Sequence, residues 1–328
     1  MRGDIMAVFD EQGKVNVDVI IPIYRPDDKL YSLLSMLEKQ SLKPKNIFIL
    51  RTYSDKAAHD GFKAPDGYGI DMHIHYIEKK NFDHGGTRRY GASLSSADVL
   101  MFMTQDAVPV NEFLIEELVR PYKDNRVAAT YARQVPEANA DIIERFTREF
   151  NYPKESMIKS LKDLDRLGIK TYFCSNVCAT YRRDIYEKLG GFVDKTIFNE
   201  DMIMAHAIIH AGYMIVYRAE AMVVHSHVYS YLQQFSRNFD LGVSHRQYAD
   251  VFLKVRSESE GMRLFKSTLR YLVDRKEYLL IPDLVLCTAF KYMGYKLGVN
   301  YHRLPREIVL RCTMNKDYWN DGFRNARQ

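Results

Sequence analysis

The chain is short of the residues that staple, span or punctuate a fold. Its four cysteines in 328 residues, Cys174, Cys178, Cys287 and Cys312, are too few for a disulfide framework. Cys174 and Cys178 stand close together, but no second pair sits at metal-site spacing, so no structural zinc is expected; the four read as buried thiols in a reducing cytoplasm. The first fifteen residues, MRGDIMAVFDEQGKV, lack an apolar core segment, so no secretory leader is expected. The most apolar C-terminal stretch, residues 278–290, is short for a membrane span and carries Pro282 and Asp283. No internal repeat or low-complexity linker is visible. Neither sign of charge dominates: 47 Lys and Arg against 42 Asp and Glu leave +5. That excess suits an anionic substrate or an anionic membrane surface and is too small and scattered for a nucleic-acid partner. No early glycine-rich, lysine-bearing loop follows the first apolar run, which argues against a nucleotidyltransferase.

What is present is ample material for a core, with 46% apolar residues. The length suits one large α/β domain with an appendage, or two domains. VDVIIPIY (17–24) is a continuous β-branched run that ends at Arg25-Pro26-Asp27, the pattern of a buried parallel strand. Residues 30–39 carry leucines at helical spacing. NIFIL (46–50), MHIHYI (72–77) and VLMFM (99–103) read as further strands, and residues 86–96 as a helix with small residues on one face. A helix is expected to open after Pro109 and Asn111. Strands alternating with helices predict a mostly parallel sheet flanked by helices, with ligands at the carboxyl ends of the strands. Further on, Tyr172–Tyr181 is read as a strand, Asn199 as the cap of a helix from Glu200 to Ala211, and Met214–Tyr217 and Ala221–His225 as two short strands. Beyond Ser230 the chain reads as helical, with amphipathic segments near 252–271 and 284–296.

Four places carry chemistry. Asp106 follows the fourth strand and is read either as a helix cap or as an oxygen ligand for Mg²⁺ or Mn²⁺. Glu200 and Asp201 open a helix, where acids are either dipole partners or, for one of them, a general base. His225 and His227 end a strand and are either surface histidines or ligands for a metal or phosphate. NFDHGGTRR (81–89) is either an ordinary loop or an anion site, through the amides of Gly85 and Gly86 and the guanidinium of Arg88 or Arg89.

In this order and spacing the chain resembles glycosyltransferase family 2, whose fold is of the GT-A type. The residues that carry the resemblance are VDVIIPIYRPDDKL, NFDHGGTRRYGA, LMFMTQDAVP at the place of the family's Asp-x-Asp, Gly190-Gly191-Phe192, and FNEDMIMAH; together they cover about two-thirds of the chain. TQDA, HSHVYSYLQQFSRNFDLGV and KYMGYKLGVNYHRLP further resemble bacterial rhamnosyltransferases of wall polysaccharide or O-antigen synthesis. Two departures stand out. Thr104 and Gln105 replace the first acid and middle residue of Asp-x-Asp, leaving Asp106 as its carboxylate. After the second strand, the acidic residue that holds the base in many relatives has only Ser54 or Asp55 to stand for it.

The resemblance implies an inverting transferase that moves L-rhamnose from dTDP-L-rhamnose to a hydroxyl of a lipid-linked surface polysaccharide. The implied cofactor is Mn²⁺ or Mg²⁺ at Asp106 with His225 or His227. The implied nucleotide-sugar residues are Pro22, Tyr24, Arg25, Ser54, Asp55, Gly85, Gly86, Arg88, Gln105, Asp106 and Arg237. Asp201 is the implied base, with Glu200 as the second choice. The catalytic domain is expected over 1–248, with a nucleotide half at about 17–110 and an acceptor half at about 111–248. A helical region, 249–328, is expected to contact the inner face of the plasma membrane, to form a homo-oligomer contact or to cap the catalytic domain. Other readings are a different UDP- or dTDP-sugar as donor, and a non-catalytic sugar- or nucleotide-binding partner in a synthase complex.

Overall fold

A computed structural model describes residues 8–54, 67, 69–227, 229–254 and 258–319. Nine strands form one sheet: β1 Val17–Ile23, β2 Asn46–Tyr53, β3 Asp71–Glu78, β4 Val99–Met103, β5 Val108–Pro109, β6 Val127–Val135, β7 Met157–Lys159, β8 Cys178–Arg182 and β9 Met214–Val224. The helices are α1 Asp28–Glu38, α2 His84–Leu94, α3 Leu114–Val119, α4 Ile142–Asn151, α5 Leu164–Leu167, α6 Arg183–Lys188, α7 Glu200–His210, α8 Tyr231–Gln247, α9 Ala249–Phe252, α10 Glu258–Asp274, α11 Ile281–Val299 and α12 Arg306–Cys312.

The sheet runs β3-β2-β1-β4-β8-β6-β9-β5, with β7 also on β9. The first four strands of that path are mutually parallel, as are β6 and β9; β8, β5 and β7 run the other way. The expected mostly parallel sheet is therefore present. Successive residues of β1 feed opposite faces. Val17, Val19, Ile21 and Ile23 pack with α1 and α3, and Ile20 packs on the α7 side. Asp18, fully buried on that strand, accepts from Asn46 N and Nδ2 and from Ser95 Oγ, which pays for its burial.

Several boundaries differ from the sequence reading. The strand expected at Tyr172–Tyr181 begins only at Cys178, because residues 168–172 close a 3-10 turn instead. The two short strands expected over 214–225 are one strand, which keeps pairing with β6 across a register shift between Ala132 and Arg133. The helix expected just after Asn111 opens at Leu114. The segment 284–296 is not amphipathic. Leu284, Gly294 and Gly298 of α11 are buried, whereas Val285, Leu286, Tyr292 and Met293 on the other side are exposed.

α11 lies against α8 at very short range. A Cβ at Gly294 would stand 2.2 Å from Phe235 O, one at Gly298 2.0 Å from Phe239 O, and one at Gly242 2.4 Å from Tyr295 O. Only hydrogen fits at these crossings, so the glycines set the helix spacing. A third cluster, Phe239, Val243, Tyr301, Val309 and Trp319, closes the end of this pair. Among the described residues no helix is long and apolar enough to cross a membrane.

Candidate active site

The register of one short strand pair builds the first half of the site. Val108 of β5 pairs antiparallel with Val224 of β9. Two residues before Val108 therefore face two residues beyond Val224, which sets Asp106 between His225 and His227. Asp106 Oδ2 lies 3.2 Å from His227 Nε2 and 3.6 Å from His225 Nε2. The three ligand atoms all fall within 4.8 Å of one another, the one such cluster among the described residues. Burial, together with the charges of Arg148 and Arg237, lowers the proton affinity of His225. His227 is lowered chiefly by burial, against the pull of Asp106. Both imidazoles therefore stay neutral at physiological pH, the form that donates a lone pair. A carboxylate and two neutral imidazoles facing one point fit a divalent cation of mixed oxygen and nitrogen preference.

The second half opens α7. Asn199 adopts a left-handed conformation, φ 67°, and its side chain donates to Ser244 Oγ at 3.3 Å. The expected side-chain cap is absent; the residue is a bend that aims the next two carboxylates. Their environments differ. Glu200 pairs with Arg88 Nη1 at 3.1 Å and accepts from Asn176 Nδ2 at 3.2 Å. Burial alone would raise its proton affinity, but Arg88, His84 and Asn176 outweigh that and keep it ionised. Among the described residues Asp201 makes no ion pair. It accepts only from the backbone amides of Asn176, 3.2 Å, and Met202, 2.7 Å. Burial, and then the neighbouring Glu200 charge, push its pKa up to about 7. Of the two acids, Asp201 has the proton affinity of a base at neutral pH.

One cavity of about 920 Å³ is lined by Asp201 and Glu200, by His225 and His227, and by Arg88 and Arg237. Asp201 and the two histidines of the cluster thus share a cleft, with Asp106 reaching it only through its contacts to those histidines. α4 contributes Ile143, Thr147 and Arg148 to its wall, and α11 contributes Asp283, Cys287 and Lys291. Arg237, on α8, stacks over Phe198 at 4.7 Å and Tyr229 at 5.6 Å.

Other expected residues take different roles. Gln105 does not face the cleft; its amide accepts from Tyr24 N at 2.8 Å and donates to Tyr24 O at 3.2 Å, locking the β1 loop to the β4 loop. The α2 amides are not open to an anion, because the Asp83 carboxylate accepts from Gly86 N at 2.7 Å. Gly85 is there for contact: a Cβ would lie 1.8 Å from Val193 O. Arg88, which lines the cavity, pairs with Glu200. Pro22 and Tyr24 are half-buried and Arg25 is exposed, with Lys79 Nζ 5.8 Å above the Tyr24 ring. Ser54 is exposed just past β2; Asp55 lies outside the described residues. Sequence reasoning missed Gln134, Arg148, Asn176 and Ser175, which no local pattern marks; Gln134 arrives on β6, Arg148 on α4, and Ser175 and Asn176 in the segment before β8.

A mixed sheet whose first four parallel strands end beside an acid, with histidines and a second acid across one cleft, is the architecture of a GT-A nucleotide-sugar transferase. The chain belongs to glycosyltransferase family 2, whose family model matches residues 18–190, and it is a glycosyltransferase. It is 36% identical over 315 residues to the O-antigen chain rhamnosyltransferase RfbN of Salmonella typhimurium, covering 94% of this chain and 97% of that one. It is 37% identical over 312 residues to the O-antigen chain rhamnosyltransferase WbaN of Salmonella anatum, covering 92% and 95%. Among solved structures, a mannosyltransferase of Pyrobaculum calidifontis in complex with GDP-Man and Mn²⁺ is similar in fold, with a TM-score of 0.55 at 14% identity over 95% of this chain and 87% of that one. Residues 1–349 of S. aureus TarS match with a TM-score of 0.51 at 14% identity over 88% and 91%.

Proposed function

We propose that the chain transfers L-rhamnose from dTDP-L-rhamnose, with inversion, to a hydroxyl of a lipid-linked O-antigen saccharide. The observation that carries the mechanism is one cleft lined by His225 and His227, which cluster with Asp106, and by Asp201, a carboxylate of pKa about 7. The near full-length similarity to two O-antigen rhamnosyltransferases supports the donor and acceptor class.

In this reading Asp201 accepts the proton of the acceptor hydroxyl as its oxygen bonds to the anomeric carbon. The bond from that carbon to the diphosphate oxygen breaks on the opposite face, and the nucleoside diphosphate leaves with the electron pair. Asp106, His225 and His227 would hold a divalent cation, and two imidazoles beside one carboxylate favour Mn²⁺ over Mg²⁺. When bound, the cation neutralises charge building on the diphosphate. Arg237 adds a second positive group in the same cleft. Tyr24, Arg25 and Lys79 border the base and ribose, with Ser54 at the edge.

The catalytic unit corresponds to residues 1–248, and the helical region from 249 meets an anionic lipid surface. α11 supports that second assignment. Its cleft side carries Asp283, Cys287 and Lys291, while Val285, Leu286, Tyr292 and Met293 form an exposed apolar stripe, with half-buried Lys296 Nζ 5.5 Å from the Tyr292 ring. Leu279, just before it, is 94% exposed. Arg275 and Lys276 precede the stripe and Arg303 follows it, all exposed. An apolar face flanked by cations suits an anionic interface.

The test of donor identity is a panel of dTDP-rhamnose, UDP-glucose, UDP-galactose, UDP-N-acetylglucosamine and GDP-mannose with Mn²⁺, read by nucleoside diphosphate release. Release should be fastest with dTDP-rhamnose. A faster reaction with any other donor overturns the assignment.

A further inference from the structure

Gln134 of β6 is 3% exposed and uses every hydrogen-bonding position of its amide. Its Nε2 donates to Tyr152 Oη and to Ser175 Oγ, the latter at 3.1 Å. Its Oε1 accepts from Arg148 Nη1 and lies 2.9 Å from His225 Nδ1. A guanidinium can only donate, so Arg148 fixes which end of the amide is oxygen. Since Oε1 can only accept, His225 must carry its proton on Nδ1. Its Nε2 is then a bare lone pair, turned toward the Asp106 carboxylate 3.6 Å away. Two acceptors facing each other repel unless a positive charge lies between them.

We infer that Gln134 is a positioning residue that sets the tautomer of His225 and presents Nε2 to the cation, and that Arg148 sets Gln134. The inference rests on the cation site proposed above. It adds that this site is wired to the α4 wall of the cleft: Arg148 sits on α4 beside Thr147, and both line the cavity. The relay runs from a surface the acceptor would meet, through one buried amide, to a metal ligand.

The test uses the full chain, saturating dTDP, and Mn²⁺ titrated by the paramagnetic resonance signal of the free ion. His225→Ala defines loss of the site. Gln134→Met keeps the length of the side chain but can neither accept nor donate, and should weaken Mn²⁺ binding about 10–100-fold, the usual range for a residue that orients a metal-ligating histidine. Gln134→Glu still accepts from His225 and Arg148 while losing both donations. It should therefore hold Mn²⁺ affinity within about threefold of wild type, the same factor separating noise from effect. A residue needed only for packing would not separate the two. Equal affinities for Gln134→Met and wild type, with His225→Ala impaired, overturn the inference and leave the cation site standing. Unimpaired Mn²⁺ binding by His225→Ala, or none by wild type, removes both. Should Gln134→Met fail to fold, Arg148→Met carries the test: the amide is then free to turn, affinity should fall severalfold, and unchanged affinity overturns the inference.

Discussion

At the scale of single residues, the site turns on a difference between neighbours. Glu200 and Asp201 are adjacent acids, yet Arg88 neutralises one and leaves the other to bear both burial and its neighbour's charge. Replacing Asp201 by Asn should lower turnover by about 10²–10⁴-fold with donor binding retained, measured by single-turnover transfer and by dTDP calorimetry. The same variant should be more stable at pH 8. Folded Asp201 holds its proton up to about pH 7, whereas an unfolded aspartate releases it near pH 3.9. This group therefore costs stability increasingly as pH rises from about 4 to about 7. Asp201→Asn should melt at least about 2 °C higher at pH 8 and show no gain at pH 4. Turnover itself should climb as pH passes about 7, and Glu200→Gln should move that rise to lower pH by removing the adjacent charge; an unmoved profile would show that Glu200 does not act on the base. The acid pair, Asp106 and the two histidines were legible in the sequence as residues. The resemblance ranked Asp201 ahead of Glu200, but the physical reason was not legible, because it depends on Arg88, more than a hundred residues away. The partners of Gln105 and Arg88 inside the protein, Tyr24 and Glu200, were hidden for the same reason: no local pattern reveals them.

Elements decide how those residues meet. β5 has only two residues and no apolar pattern of its own, yet its pairing with β9 delivers Asp106 to the histidines. β1, β2 and β4 were readable from their β-branched runs because strands buried on both faces have a composition signature. β6, which carries Gln134 in VAATYARQV, has less of one, and β9 was read as two strands because Arg218-Ala219-Glu220 interrupts its apolar residues without ending its pairing. α11 and α8 pack through glycine. Gly298→Ala should destabilise the fold by about 1–3 kcal/mol or more, since backbone rather than a movable side chain meets the new methyl. Urea unfolding reports that loss, and a change within about 0.5 kcal/mol would show that the helices can part without cost.

For the molecule as a whole, α11 is the element that cleft and surroundings share. Its sequence promised one polar side; the structure has apolar residues on both, one against α8 and one facing out. The protein should float with vesicles containing anionic lipid, less so at high salt. Leu286→Glu with Met293→Glu should reduce flotation by more than about tenfold, because each buried leucine-sized side chain contributes roughly 1.5–3 kcal/mol. Undiminished flotation of the double variant would clear the stripe of that role. Self-association of wild type in light scattering, without flotation, would assign the stripe to a second copy.

The glycine crossing has one more effect. With carbonyl oxygens pressed against α-carbons, α8 and α11 have no flexible layer between them and form one rigid wall of the cleft. A motion that widened the cleft on that side would have to carry both helices together.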